Sequence, residues 1–304
     1  MTGSFLALGE CMVELAQTGD NLYRRGFAGD TFNTAWYARR LLPADWQVSY
    51  GTCLGKDAVS DEMLAFFDAQ RINTDSVRRL NDRTVGLYMI SLNAGERSFS
   101  YWRSQSAARL LAQDVDWLDQ VMHRRDFIHF SAITLAILRS DAREPFCRAL
   151  ARARSSGATI SFDTNLRPHL WNDETEMKTG LQMGASVADI VLPSFDEERE
   201  LFGDRTADET LARYAGLGAE VVAVKQGSGP TVIGGNGQEK CIVRSEPVEH
   251  VVDTTAAGDS FAAGFLAGLA QDQPVGKAAQ NAAKLAARVI QAHGALVADI
   301  FGQT

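Results

Sequence analysis

Residues 251–261 combine a strand end, a turn of small residues and the start of a helix, and this combination can bind an anion. Free backbone N–H groups and the positive end of the helix dipole point at whatever lies before a helix N-terminus. Ala256, Ala257 and Gly258 have little or no side chain, so a phosphate can approach their backbone closely. The turn is therefore a candidate phosphate-binding site.

Asp259 follows this turn directly, where its carboxylate would repel bound phosphates. Such an unfavourable placement indicates a proton-handling role, because a hydroxyl that attacks phosphorus needs a nearby base. The alternative is an N-cap, since Asp is frequent at helix starts. The segment by itself leaves the two interpretations evenly matched.

A second polar group opens a helix that we predict to run to about residue 42. Asp30 and Asn33 are three residues apart, so both side chains can point into one cavity, and Gly29 permits unusual backbone angles. Asp and Asn at such a site suit the recognition of hydroxyl groups. An N-cap followed by a turn residue is the alternative.

Two alternating runs, 84–92 and 97–102, are joined by a predicted hairpin turn at residues 93–96. Together with residues 12–15 they predict a small antiparallel sheet that serves as a lid. Tyr88, Tyr101 and Arg103 lie on or just after it, and two aromatic faces with a cation suit a carboxylated sugar. Packing of the aromatic residues on one another is the alternative, and it leaves Arg103 unexplained.

From residue 126 onward, short apolar strands alternate with helical patterns, which indicates a mostly parallel sheet covered by helices on both faces. Ligands bind beyond the carboxyl ends of such strands, so the polar residues there are candidates. Arg167 suits a carboxylate or phosphate, Glu197 suits water around a magnesium ion, and Lys225, Gly227 and Ser228 suit a nucleotide.

The composition of the 304 residues is that of an ordinary globular protein. The net charge of -8 argues against nucleic acid as a partner. Its four cysteines are scattered, as expected for reduced thiols. The N-terminus has no signal-peptide pattern, and the apolar run 261–270 is too short to cross a bilayer. We therefore predict a cytoplasmic protein without a membrane partner.

The sequence Asp-Thr-Thr-Ala-Ala-Gly-Asp at residues 253–259 resembles the D-T-x-G-A-G-D signature of ribokinase-type (PfkB) carbohydrate kinases. Residues 28–33 and 225–227 support this resemblance, which extends over essentially the whole chain. It implies an α/β fold: a ribokinase-like three-layer αβα sandwich with a mostly parallel central sheet and a small antiparallel β-sheet lid. The implied organisation is a single kinase domain, 1–304, with lid strands from about 11–25 and 84–103.

Within the family, residues 9–15, 101–103 and 256–259 look like the branch that acts on a 2-keto-3-deoxy sugar acid. The resemblance implies transfer of the ATP γ-phosphate to the 6-hydroxyl of 2-dehydro-3-deoxy-D-gluconate, with Asp259 as the general base. The residues it implies for the sugar acid are Gly29, Asp30, Asn33, Tyr88, Tyr101, Arg103 and Arg167. Those it implies for ATP are Asn165, Lys225, Gly227, Ser228, Ala256, Ala257 and Gly258. Mg²⁺ would arrive with the nucleotide and meet Glu197 through water, and K⁺ is a further candidate cofactor.

The chain departs from the family pattern at three positions. Asp30 stands where many relatives carry a second glycine, and this change favours the keto-deoxy acid branch over ribokinase. Ala256 replaces a glycine of the signature, which requires an ordinary negative φ there or a small adjustment of the turn. Ser194 stands where the family often has Asn, which puts the metal network in doubt.

Two other functions stay open. The first is a family kinase for a neutral sugar or nucleoside, which would give no reason for both Arg103 and Arg167. The second is a non-catalytic sugar-binding regulator, against which an intact Asp259 argues. Because the lid strands have exposed edges, we also predict a homodimer that pairs through the lid sheets.

Overall fold

The structure, a computed structural model, describes residues 3–93 and 96–302, and the side chains of residues 92, 93, 96 and 97 fall outside that description. Within these ranges the chain forms two sheets, one of nine strands and one of four. In chain order the strands are β1 (Ser4–Leu8), β2 (Met12–Gly19), β3 (Leu22–Ala28), β4 (Gln47–Leu54), β5 (Val77–Arg79), β6 (Leu87–Asn93), β7 (Glu96–Trp102), β8 (Phe127–Ser131), β9 (Thr159–Asp163), β10 (Ile190–Leu192), β11 (Val221–Val224), β12 (Thr231–Gly235) and β13 (Gln238–Val243).

The large sheet has the strand order β13-β12-β11-β10-β9-β8-β1-β4-β5. All pairs from β11 to β5 are parallel, and β12 and β13 add an antiparallel edge. Successive side chains of a strand point to opposite faces, and in β1 Phe5 and Ala7 enter one core whereas Leu6 and Leu8 enter the other. Both faces are apolar because both are covered by helices.

The helices divide between these two faces, as predicted for a three-layer sandwich. One layer, α1, α2, α9 and α10, packs on the face of Phe5, and the layer from α3 to α8 packs on the face of Leu6. Their bounds are α1 (Asp30–Leu41), α2 (Ala58–Ala69), α3 (Val115–Met122), α4 (Ala132–Ile137), α5 (Ser140–Ser155), α6 (Glu174–Ser186), α7 (Phe195–Phe202), α8 (Ala207–Gly216), α9 (Ala257–Leu269) and α10 (Val275–Val289). Short 3₁₀ helices occupy Ala107–Leu110, Pro168–Leu170 and Ala298–Phe301.

The small sheet, which we call the lid, has the order β3-β2-β6-β7. It consists of two antiparallel hairpins, β2–β3 and β6–β7, joined by a parallel pairing of β2 with β6. Cross-strand register places Glu14, Tyr88 and Tyr101 in one row, so their side chains share the face that looks onto the large sheet. Residues 94–95 of the predicted hairpin turn lie outside the described residues.

The fold confirms the predicted alternation of strands and helices from β8 to β11. Sequence patterns did not predict β12 or β13. β13 is a sheet edge with largely exposed side chains, whereas β12 is a buried inner strand that is short and includes Gly234 and Gly235. β3 lies partly within the expected lid segment 11–25, but its exposed side chains give no strand pattern. In the part of the chain that the structure describes, no helix is both long and apolar enough to span a membrane.

Candidate active site

The carboxyl ends of five neighbouring parallel strands meet at one edge of the large sheet. Glu10 follows β1, Ser131 and Asp163 end β8 and β9, and Ser194 and Lys225 follow β10 and β11. Above them lies a cavity of about 790 Å³, which the lid covers with Tyr88, Phe99 and Tyr101. A second cavity of about 720 Å³ lies beside it.

The two cavities share a common wall. The residues that line both are Ser194, Lys225, Thr254, Ala257 and Gly258. This wall includes the N-terminus of α9, whose free N–H groups and dipole favour an anion at the junction. A group bound in one cavity can therefore meet a group bound in the other beside the candidate phosphate site.

The turn before α9 differs from its predicted geometry at Ala256. This residue has φ 59° and ψ 17°, the left-handed conformation, so the first of the two alternatives, an ordinary negative φ, is wrong. For a residue with a Cβ this conformation costs roughly 1–2 kcal/mol. The methyl group packs against two apolar clusters. One is in the core of the large sheet and its helices, which we call the body, and the other lies under the lid and contains Met12 and Tyr88. This packing offsets part of the strain.

Lys225 brings a positive charge to the same turn. A Cβ built on Gly258 would lie 3.7 Å from Lys225 Nζ, so the ammonium group lies beside the backbone of the turn. Nζ also donates to both carboxylate oxygens of Asp163, at 3.1 and 3.3 Å. The cation is thereby held in place at the wall between the two cavities.

Asp259 is the third residue of α9, and Ala256 occupies the cap position without a side-chain bond, so the N-cap interpretation of Asp259 is wrong. Its Oδ2 accepts a hydrogen bond from Asn33 Nδ2 at 2.8 Å. Removal of the carboxyl from bulk solvent, with the nearby Asp30 carboxylate, raises the pKa of Asp259 to about 8. A carboxyl that titrates near neutral pH, oriented by an amide and open to the cavity, is suited to general base catalysis.

Gly29 is needed for space rather than for unusual backbone angles. Its φ is 180°, an extended value that any residue adopts, but a Cβ there would lie 2.1 Å from the carbonyl oxygen of Glu10. The close approach lets α1 begin against the segment between β1 and β2. Asn33, one turn further along, is thereby brought to Asp259, so its amide orients the predicted base rather than being free for a sugar hydroxyl.

Asp30, the first residue of α1, lines the same cavity and is predicted to bind substrate. Its Oδ2 accepts hydrogen bonds from Ser131 Oγ and, at 3.1 Å, from Asn165 Nδ2. Burial raises the pKa of the Asp30 carboxyl. Asn165, which the resemblance assigned to ATP, thus lies against a residue assigned to the sugar, and it lines the first cavity rather than the second.

The lid end of the cavity carries the aromatic residues and Arg103. The rings of Tyr88 and Tyr101 have centroids 5.9 Å apart, and Tyr101 stacks on His169 of the body at 5.5 Å. Tyr88 donates its hydroxyl to Glu14, so its ring face is what it offers to the cavity. Arg103 lies beside Tyr101 and forms an ion pair with Glu10.

Arg167 and Glu197 form a second ion pair in the wall of the first cavity, and Glu197 also lies near Lys225 and Asp163. Arg167 Nη1 lies 3.3 Å from Glu197 Oε1 and donates to the carbonyl of Leu166 at 2.6 Å. Glu197 Oε2 accepts from the backbone N–H of Leu166 at 3.1 Å, and burial raises the pKa of this carboxyl. Both side chains line the cavity, but each already has a partner. To bind a ligand as predicted, each must exchange that partner for the ligand.

The second cavity receives the residues predicted for the nucleotide. Gly227, with φ 58°, and Ser228 line it together with the apolar side chains of Val251, Phe261 and Ile290. A flat apolar wall beside a helix N-terminus suits a nucleotide base and its phosphates. Segment 245–251, which supplies part of this wall, was not predicted as part of the site.

Three further residues at the first cavity were also not predicted as site residues: Glu10 and His169, which line it, and Ser131, which donates to Asp30 beside it. Glu10 and Ser131 follow or end predicted parallel strands, so the rule that ligands bind at carboxyl strand ends would have found both had it been applied to β1 and β8. His169 has no such signal, because only the lid brings Tyr101 to it.

An open α/β sheet with two adjoining cavities, a helix N-terminus between them and a carboxyl base defines the class of protein as a group-transfer enzyme that handles phosphate. Residues 4–299 match the pfkB family of carbohydrate kinases. The chain therefore belongs to this family.

Individual relatives agree with this assignment. The chain is 39% identical to the 2-dehydro-3-deoxygluconokinase of Dickeya dadantii (strain 3937), with 97% of each chain covered. It is 36% identical to the enzyme of the same name from Escherichia coli (strain K12), with 98% of each covered. The crystal structure of a fructokinase with bound ATP from Xylella fastidiosa is similar with a TM-score of 0.84 at 25% identity, covering 97% of this chain and 94% of that one.

Proposed function

We propose that this chain transfers the γ-phosphate of ATP to the 6-hydroxyl of 2-dehydro-3-deoxy-D-gluconate. The observation that supports this most directly is Asp259, a carboxyl with a pKa of about 8 in the first turn of α9. It lines the first cavity and directly follows Ala257 and Gly258 of the wall shared with the second cavity. The names of the relatives at 36–39% identity support the choice of sugar acid. The sugar acid would occupy the first cavity and ATP the second.

Asp259 would take the proton from the sugar hydroxyl as its oxygen attacks the γ-phosphorus, while the bond from that phosphorus to the bridging oxygen of ADP breaks. Asn33 holds one carboxylate oxygen, which leaves Oδ1 to accept the proton. The raised pKa of Asp259 makes it a stronger base than an exposed carboxylate.

Charge on the transferring phosphoryl group would be stabilised by the backbone N–H groups of Ala256 and Gly258 and by Lys225. The N–H of Ala257, which the resemblance also implied, already donates to the Thr254 carbonyl at 3.2 Å. The other groups are already in position without the ligand, because α9 fixes the turn and Asp163 fixes the ammonium group. Preorganised donors of this kind lower the barrier without reorganisation during the reaction.

Magnesium would enter with the nucleotide. Within the described residues no three His, Cys, Asp or Glu side chains form a group that could hold a metal ion, which fits an ion held mainly by phosphates and water. Glu197 and Asp163 line the cavity near Lys225 and would contact the ion's water shell. When bound, the ion would neutralise part of the negative charge on the phosphates.

At the other end, the carboxylate of the sugar acid would lie among Tyr101, Arg103 and Arg167, where guanidinium groups can donate to it. Asp30 would accept a sugar hydroxyl in the middle of the cavity. The half-exposed Arg167 can exchange its 3.3 Å contact with Glu197 for the substrate carboxylate.

A coupled assay of ADP release with a panel of sugars and sugar acids tests this function. We expect 2-dehydro-3-deoxy-D-gluconate to give the highest kcat/KM. Equal or better turnover of fructose or ribose would contradict the proposed substrate and favour the neutral-sugar alternative. Absence of turnover with every member of the panel would favour the non-catalytic regulator.

We also propose that the lid pairs with the lid of a second copy, in the cytoplasm where ATP is available. Two observations support the pairing: β3 and β7 are exposed sheet edges, and Leu22 and Trp102 present large apolar side chains to solvent. Sedimentation at micromolar concentration should give a dimer, and Trp102→Glu together with Leu22→Glu should give a monomer. A wild-type monomer would contradict the pairing.

A further inference from the structure

The ion pair between Glu10 and Arg103 lies where the lid joins the body. Glu10 stands between strand β1 of the large sheet and strand β2 of the lid, and Arg103 directly follows lid strand β7. Arg103 Nη2 donates to Glu10 Oε2, and both side chains are almost completely buried. Both residues line the first cavity, at the end assigned to the substrate carboxylate.

This pair is incompletely satisfied. Glu10 Oε1 and Arg103 Nε have no hydrogen-bond partner among the described residues. Two buried charges lose their hydration, and their attraction compensates only when the remaining donors and acceptors are also bonded. An apolar pair of similar volume would be a more stable link between lid and body, so stability alone does not account for these residue types.

The surrounding chain makes room for the pair. A Cβ built on Gly86 would lie 2.8 Å from Glu10 Oε1 and 3.2 Å from Arg103 Cβ. Gly86 does not have a positive φ, so a larger residue there would meet no backbone strain but would push the Glu10 carboxylate from its place beside Arg103. The fold therefore keeps space for a carboxylate beside Arg103.

We propose that Glu10 is a positioning residue that holds the Arg103 guanidinium toward the substrate carboxylate and so sets the preference for acidic over uncharged substrates. This inference rests on the proposed function. Without Glu10, Arg103 has one fewer fixed bond and samples more rotamers, so an anionic substrate must order it on binding. An uncharged substrate, which gains little from Arg103, would be affected less.

The test compares two ligands, 2-dehydro-3-deoxy-D-gluconate and its carboxamide, which has the same shape without the charge. Dissociation constants are measured by calorimetry and kcat by the coupled assay. In Glu10→Gln we expect the dissociation constant of the acid to rise about tenfold, as for a lost bond to a charged group. That of the carboxamide and the kcat should stay within about twofold.

A double-mutant cycle shows whether the effect passes through Arg103. In an Arg103→Met background, Glu10→Gln should change the affinity for the acid by less than about twofold. Glu62→Gln is the matched control, since it breaks another lid-to-body ion pair, with Arg25, whose residues do not line the cavity. It should leave both dissociation constants unchanged.

Equal weakening of acid and carboxamide in Glu10→Gln, or an undiminished effect in the Arg103→Met background, would overturn the positioning role. If Glu10→Gln does not fold, Glu10→Asp serves instead, because it retains the charge but retracts it by one methylene and should weaken only the acid. A wild-type protein that does not phosphorylate the acid refutes the proposed function itself, and this inference with it.

Discussion

The two ends of the first cavity are built from different parts of the molecule. At the transfer end, Asp259, Asn33 and Lys225 all belong to the body and are held by hydrogen bonds within it. At the acid end, Tyr101 and Arg103 come from the lid, and Tyr101 stacks on His169 of the body. We propose that the body residues at the transfer end set the rate, and that the acid end, where Arg167 of the body joins the lid residues, sets affinity for the acid.

The acid end itself contains two unlike ion pairs. The side chains of Arg103 and Glu10 are 9% and 1% exposed, whereas those of Arg167 and Glu197 are 42% and 33% exposed. Water screens the second pair and solvates its members when they separate, so its contribution is small. A substrate carboxylate can therefore displace Glu197 from Arg167 more easily than Glu10 from Arg103.

Asp259→Asn should have the largest effect, because it removes the base at the transfer end. We expect kcat to fall by about 10²–10⁴, with the dissociation constants of both substrates nearly unchanged. The coupled assay and calorimetry measure these quantities. A kcat that stays within twofold of the wild type would remove Asp259 from the mechanism.

The two arginines should separate the acid end from the transfer end. Arg103→Met should raise KM for the sugar acid by about 10- to 100-fold, as expected for lost bonds to a charged group, with a small change in kcat. Arg167→Met should raise it by about tenfold at most, because water solvates that position. Steady-state kinetics at saturating ATP compares them. A larger change in kcat than in KM would contradict the division between the acid end and the transfer end.

The pH dependence of kcat/KM should reflect the ionisation of Asp259 at the transfer end and not the groups at the acid end. The free base must be ionised to accept a proton, and the pKa of Asp259 is raised to about 8. The value of kcat/KM should therefore rise by about tenfold per pH unit below pH 8 and level off above it. The same rise of kcat/KM with pH should be seen in Arg103→Met. A profile that stays flat between pH 6 and 9 would rule out titration of the base in this range.

Ala256→Gly should have the smallest effect, on stability. Glycine relieves the left-handed strain, although it adds entropy to the unfolded chain, so we expect a gain of about 1 kcal/mol in the free energy of unfolding. Ala257→Gly is the matched control, because this residue has helical geometry and should lose about 1 kcal/mol. Denaturant titration measures both. A loss in Ala256→Gly would show that its methyl contacts with the lid cluster outweigh the strain.

Sequence patterns predicted the central parallel strands of the large sheet better than the strands at the sheet edges. The parallel strands and the candidate residues at the ends of β9 to β11 were predicted, since buried strands read as short apolar runs. Strands β3 and β13 lack that pattern because they are sheet edges with exposed side chains. Strand β12 was missed although it is buried. Within the site, Glu10 was missed although it follows β1, and His169 could not have been found because its partner lies on the lid.

The sequence by itself determined the local chemistry: a strand, a turn of small residues and a helix bearing Asp259, all within one short segment. Tertiary structure decided what these groups meet. Asn33 reaches Asp259 across 226 residues, and Glu10 reaches Arg103 across 93. It also placed Ala256 in the left-handed region, against the sequence expectation. Local geometry follows from neighbouring residues, whereas partners and charge balance depend on which strand ends the sheet brings together.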